Sequence, residues 1–267
     1  MKTLSNKNPW VQRIARTGLT AKGIVYLILG ILAFMTAFEM GKQSDDKANQ
    51  GGVFEFIQEL PAGSWLLGFI AAGLLCYSIW RGVQTFANTK ESAKKQWLKR
   101  LRYLFSGLTY LSLAFTATQI LTHSKKENGD QNQHWAKELL NQPFGQWLVG
   151  IAALAISAVG IYQVWYGLSE KYKKHVEGLN LHSAKANLLM ASGKIGYVAR
   201  GVAWLIIAYL FLRAAIEANA QEAGDTAKAF QFIENSSFGS VLLGALGIGF
   251  IAYGIFNFIR ARFETFE

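Results

Sequence analysis

The chain states one pattern three times over its 267 residues, and each statement is a pair of long apolar runs. The first run opens on Lys22-Gly23-x-x-Tyr26, then on Ser106-Gly107-x-x-Tyr110, then on Arg200-Gly201-x-x-Trp204. The second opens on Gly63-Ser64-Trp65-Leu66-Leu67-Gly68, Gly145-Gln146-Trp147-Leu148-Val149-Gly150 and Gly239-Ser240-Val241-Leu242-Leu243-Gly244. Self-similarity of this kind means one supersecondary unit used repeatedly. Each run approaches the ~20 residues that cross a bilayer, so the unit is a helical hairpin. The expected fold is all-α and integral to a membrane: six transmembrane helices from three tandem hairpins with pseudo-threefold symmetry. The chain reads as a single membrane domain with repeats at about 13–86, 97–169 and 191–263. The spans are expected near 19–38, 62–81, 101–121, 144–166, 195–216 and 238–259.

Composition agrees. Only 16% of residues are charged while 51% are apolar, with 26 Gly and 3 Pro. Soluble domains carry about 25% charge, so a water-soluble core wrapped in so little charge is disfavoured. The single cysteine, Cys76, falls in a span and cannot form an intrachain disulfide. Lys2, Lys7, Arg13 and Arg16 precede the first apolar run in the manner of a signal peptide. That run is long, however, and the residues around Phe38 make a poor cleavage site, so it reads as a retained helix.

The charges between spans sort by side. Segments 1–22, 81–102, 170–200 and 260–267 hold 20 of the 27 Lys and Arg; the remainder of the chain holds 7. Acidic residues run the other way, 5 against 12. Short loops rich in Lys and Arg stay cytoplasmic, so both termini are expected inside and the three hairpin loops outside. The net charge of +10 is then explained by anionic headgroups beside the basic loops, and nucleic acid is not an expected partner. Residues 53–60, 135–141 and 227–234 read as short amphipathic helices lying along the outer interface. The basic stretch Lys90 to Lys99 reads either as a surface helix or as a solvated loop.

With the three Gly-x-x-aromatic openings and the three Gly-x-x-x-x-Gly openings in place, the chain resembles the domain of unknown function 1206 family of bacterial proteins, whose members carry three tandem two-helix modules. The resemblance runs from about Arg13 to Arg262. Module two departs from it, with Ser106 where Lys22 and Arg200 stand and Val159 where Tyr77 and Tyr253 stand. The resemblance implies a multi-pass protein of the bacterial cytoplasmic (inner) membrane and supplies no catalytic residues.

Several sets recur at equivalent positions. Arg16, Arg100 and Lys194 sit seven residues before the glycines Gly23, Gly107 and Gly201. Cations there either snorkel to the interface or form a ring that grips lipid phosphates or another anion. Tyr26, Tyr110 and Trp204 are interface aromatics or the lining of a shared site. Gly23, Gly107, Gly201, Gly68, Gly150 and Gly244 suit close helix packing. Glu39, His123 and Glu217, sixteen residues after the first-helix glycines, form a weak metal candidate set; they stand at helix ends where polar residues terminate a span, and no metal or other cofactor is expected. No catalytic motif is present, and no ionisable residue falls clearly at midplane. The expected function is therefore non-enzymatic: a scaffold or accessory protein that binds lipid, other membrane proteins or itself. A small-solute or ion transporter with a path between the three hairpins is the alternative, and an enzyme acting on lipid comes last.

Overall fold

The computed structural model describes residues 9–38, 50–86, 93–122, 131–175 and 184–264. These form nine α-helices: α1 (Pro9–Ala37), α2 (Gln50–Glu59), α3 (Gly63–Phe86), α4 (Ala93–Leu121), α5 (Gln131–Leu140), α6 (Gly145–Leu168), α7 (Ala184–Ile216), α8 (Thr226–Glu234) and α9 (Gly239–Phe263). Six of them, α1, α3, α4, α6, α7 and α9, are long and apolar enough to cross a membrane. No strand occurs among the described residues. The expected all-helical, six-span, three-module fold is what the chain forms. We call the end where α1 begins and α9 finishes the terminal end. The opposite end, where α2, α5 and α8 lie, is the cap end.

Span boundaries at the cap end fall within a residue of expectation. At the terminal end the helices run further: α1 starts at Pro9 rather than 19, α7 at Ala184 rather than 195, and α3 continues to Phe86 rather than 81. Hydropathy falls at the first Lys or Arg, but these residues are good helix formers and do not break the backbone ladder. Residues 93–99 likewise open α4. Cations that looked like span edges are thus carried inside helices.

Each second span packs most closely on the first span of the next module: α3 on α4, α6 on α7, and α9 back on α1. The last of these pairs joins the helices at the two ends of the chain. The same repeat positions make each seam. Gly23 lies against Gly254, and Gly201 against Gly160. At the third seam the Ser78 hydroxyl donates to the carbonyl of Gly107 at 2.8 Å. Absent side chains let backbones approach, and dispersion then holds the helices where lipid supplies no hydrophobic drive. The second-helix glycines differ. An added Cβ at Gly150 would meet nothing within 4 Å, at Gly68 only the end of Leu121, and at Gly244 the ring of Phe38. Close backbone packing is therefore the role of Gly23, Gly107 and Gly201, and not a shared role of Gly68, Gly150 and Gly244.

The short helices are amphipathic as expected, but their apolar faces turn into the bundle rather than along the interface. Val53, Phe54 and Ile57 of α2 and Phe230 of α8 are buried, and Phe230 meets Phe250 of α9 at 5.9 Å between centroids. They stopper the cap end. Each then turns sharply into its span at Gly63, Gly145 or Gly239, where any Cβ would collide with a carbonyl of the short helix just finished. Below the stoppers, Leu29, Leu32, Ile70, Leu74, Leu246 and Phe250 belong to one buried apolar core. The outside is apolar: Trp65 and Trp147, at the cap-end starts of α3 and α6, are 86% and 74% exposed. They are the aromatic belt at that interface.

Candidate functional site

The terminal-end third of the bundle holds a cluster of cations and tyrosines. Four of its members come from the repeated pattern. Lys22 and Arg200 occupy the same place in the first helices of modules one and three; Tyr77 and Tyr253 occupy the same place in the second helices. The pairs Lys22–Tyr26 and Tyr77–Arg81 are four residues apart, which puts cation and ring on one helix face. Tyr253 stands fourteen residues beyond Gly239, about 21 Å along the axis at 1.5 Å per residue. That leaves about 9 Å of a ~30 Å hydrocarbon layer.

Lys22 is at the centre, only 3% exposed. Its Nζ lies 5.4, 5.1 and 5.1 Å from the ring centroids of Tyr77, Tyr110 and Tyr253. The Arg200 guanidinium sits 5.3 and 5.2 Å from Tyr26 and Tyr253, and its Nη1 donates to the Tyr253 hydroxyl at 2.7 Å. Arg81 stacks at 4.9 Å on Tyr77, to whose hydroxyl its Nε donates at 3.0 Å. The rings brace one another edge to face, Tyr26 on Tyr253 at 4.8 Å and Tyr77 on Tyr110 at 4.6 Å. Nearer the terminal end, Tyr197, Tyr172 and Phe256 close over the cluster. There Arg260 is buried and donates to Glu264 at 2.8 and 3.1 Å.

The balance of charge is the chemically telling feature. Four cations share this space, and among the described residues only Glu264 pairs with any of them, through Arg260. A desolvated cation over an aromatic face gains up to about 2 kcal/mol. Burying an ion costs several kcal/mol even after relaxation. The ring faces therefore offset the burial of Lys22 only in part, and among the described residues no carboxylate pairs with Lys22, Arg81 or Arg200. Four buried polar atoms are also left over, the Tyr110 hydroxyl among them. The Nε of Arg200 has no acceptor, and the Oδ1 of Asn257 and the Oε1 of Gln163 have no donor. Asn257 and Gln163 occupy, in modules three and two, the position of Arg81 in module one. Such a cluster offers positive charge and unused hydrogen-bonding atoms to an anion that also brings hydroxyl groups.

The structure distributes the sequence candidates as follows. Tyr26 and Tyr110 are buried in the cluster and Trp204 is half-buried. Arg16 and Lys194 are exposed and Arg100 is half-buried. Lys194 lies 3.7 Å from Glu170, whose carboxyl is held below its usual range by a hydrogen bond from Lys173 and by the charges of Lys173 and Lys194. The cations whose ring contacts and hydrogen bonds build the cluster are Lys22, Arg81, Arg200 and Arg260. Glu39 and His123 lie outside the described residues, while Glu217 pairs with Arg213 at 2.9 Å. Sequence reading counted Lys22 and Arg200 as span edges and placed no polar cluster in the spans. The signal available was the cation–aromatic spacing of four, repeated at Lys22–Tyr26, Tyr77–Arg81 and Arg200–Trp204.

The profile of a family described as Domain of Unknown Function (DUF1206) matches the chain three times, over residues 17–88, 101–170 and 195–264. Among curated proteins, the "Uncharacterized protein YxxB" of Bacillus subtilis (strain 168) is 28% identical over 258 residues, which cover 96% of this chain and 92% of that one. No solved structure matches.

Proposed function

Because the chain belongs to the DUF1206 family, with one family unit for each two-span module, we propose that it is a non-enzymatic protein of the bacterial cytoplasmic membrane that captures an anionic group at the Lys22–Arg200 cluster. The observation that carries this is the unbalanced charge: Lys22 buried, and Arg81 and Arg200 half-buried, among tyrosines, with no carboxylate of the described residues paired to them. In this reading the ligand is the missing counter-ion. Both termini face the cytoplasm. Setting aside Lys22, Arg81, Arg200 and Arg260 as site residues leaves 16 Lys and Arg on the terminal side against 7 elsewhere, so the orientation bias survives. The cluster then sits at the cytoplasmic end. Leu29, Leu32, Ile70 and Phe250, toward the cap end from it, belong to one buried apolar core, which favours binding over passage of a solute.

The test is ligand-induced stabilisation of the full chain in a non-ionic detergent. An anion that binds the folded state, present at a hundred times its Kd, adds about 2.7 kcal/mol of stability. Phosphatidylglycerol or sodium phosphate should raise the melting temperature of the parent. The double variant Lys22→Gln, Arg200→Gln should lose that rise. A parent indifferent to both additions, or a double variant that gains as much as the parent, overturns the proposal.

A further inference from the structure

Modules one and three close their own hairpins, α1 against α3 and α7 against α9; no comparable packing joins α4 to α6. The cause can be read residue by residue. On the first helix, Leu32 and Leu210 are buried in the closed modules at 1% and 2% exposure. Module two has Thr116 at that place, and it is half-exposed. On the second helix, Ile70 and Leu246 are buried, and module two has Ala152; Tyr77 and Tyr253 are buried, and module two has Val159. Ala152 and Val159 are half-exposed. Bulk has been removed from both walls, and a hydroxyl set into one of them. The result is an open seam between α4 and α6 that faces the lipid layer along its length.

Behind the terminal-end part of this seam stands the cluster. Tyr110 of α4 touches Tyr77 and lies over Lys22; on α6, Gln163 is 7% exposed, with its Oε1 unpartnered. The way to the cluster from water at the terminal end is covered by Tyr172, Tyr197, Phe256 and the Arg260–Glu264 pair, all buried. The way from the side is the seam. An anion reaching Lys22 thus comes more readily from the bilayer than from solution, and the apolar seam suits the tail that such an anion would carry.

We infer that the seam between α4 and α6 admits one phospholipid with a singly charged, hydroxylated headgroup. Its phosphate diester lies between Lys22 and Arg200, satisfying the free Nε of Arg200. Headgroup hydroxyls donate to the unpartnered oxygens of Gln163 and Asn257. An acyl chain leaves along Ala152 and Val159. A diester phosphate keeps its charge throughout the physiological range, and a zwitterionic head would bring a second cation to an already cationic cluster, so selectivity for the anionic lipid follows from charge alone. This rests on the anion-binding reading above and names the source of the anion.

The experiment closes the seam with the residues the chain itself uses in module one: the variant Thr116→Leu, Ala152→Ile, Val159→Tyr. Full-length parent and variant, purified in a non-ionic detergent, are offered phosphatidylglycerol, phosphatidylcholine or sodium phosphate, and bound mass is read by native mass spectrometry. The parent should retain one phosphatidylglycerol at least tenfold more tightly than phosphatidylcholine, and the closed variant should lose that preference at least tenfold. The single change Val159→Tyr, read the same way, serves if the triple variant fails to insert. Undiminished phosphatidylglycerol binding in the closed variants overturns the lateral route. A parent that takes up sodium phosphate but no lipid overturns this inference and leaves the anion-binding reading standing. A parent that binds neither overturns both.

Discussion

The contact between the first and last helices, α1 against α9, makes a sharp prediction because nothing covalent holds it. Gly30 and Gly247 face each other there, as do Gly23 and Gly254, seven residues away on each helix. A Cβ built at Gly30 would stand 2.5 Å from the carbonyl oxygen of Gly247 and 2.6 Å from the amide nitrogen of Ile251. Both are backbone atoms and cannot swing aside. The axes must part by roughly 0.5–1 Å, and a gap of that size forfeits a quarter to a half of each atom-pair attraction of 0.1–0.2 kcal/mol. Over a few tens of pairs along the seam this sums to about 1–3 kcal/mol, the usual cost of overpacking. Gly30→Ala and Gly247→Ala should each lose that much, measured by equilibrium unfolding in mixed micelles of non-ionic detergent and SDS. Gly150→Ala, whose Cβ would meet nothing within 4 Å, should stay within about 0.5 kcal/mol of the parent. Equal stability of Gly30→Ala and parent, or an equal loss at Gly150, would refute the reasoning that α9 folds back on α1 through these glycines.

Three further outcomes are expected. Lys22→Met should stabilise the ligand-free protein by about 1–4 kcal/mol, since an apolar residue replaces a buried, under-compensated charge, while abolishing anion-dependent stabilisation; a destabilised Lys22→Met would show that the ring faces suffice for the charge. Glu264→Gln leaves the Arg260 guanidinium, bonded at 2.8 Å in the parent, buried without its counter-charge, and should cost about 3–5 kcal/mol in the same unfolding assay. Burial, reinforced by the charge of Glu170, pushes the Tyr172 phenol up to about 12, and its hydroxyl donates to the Met190 carbonyl at 2.9 Å. The fold therefore favours the neutral phenol, so its contribution is complete below the unfolded value of about 10 and lost as pH rises from 10 through 12. Tyr172→Phe should lack this alkaline loss, and identical pH profiles for the two proteins would contradict it.

Much of the architecture was legible because it depends on patterns longer than any one contact. Apolar run length located the six spans, and the repeat fixed their pairing into modules. The ends facing α2, α5 and α8 were legible to within a residue, since Pro61, Pro143 and the glycines after them punctuate the chain there. The opposite ends were not. Hydropathy treats Lys22, Arg81, Arg200 and Arg260 as the place where lipid stops, whereas the helices continue and turn these cations toward the axis. Only the direction of a side chain separates a snorkelling cation from one held over Tyr77 and Tyr253, and one-dimensional hydropathy does not carry direction. The open seam was half visible. The replacement of Tyr by Val at position 159 could be noticed, but its meaning needed Leu32, Ile70 and their module-three counterparts shown buried while Thr116 and Ala152 were not. The packing role of Gly23 and Gly201 was readable from the repeat; the idle position of Gly150 was not, because it depends on which face meets lipid.

The most direct test is an experimental density map of the full chain in phosphatidylglycerol nanodiscs, read at the cluster. The account predicts compact density of phosphate size within about 4 Å of both Lys22 Nζ and the Arg200 guanidinium, the range of a close ion pair. A map in which Lys22 pairs with a carboxylate of the chain, or in which the tyrosines pack directly around it and leave no room for an anion, would contradict it.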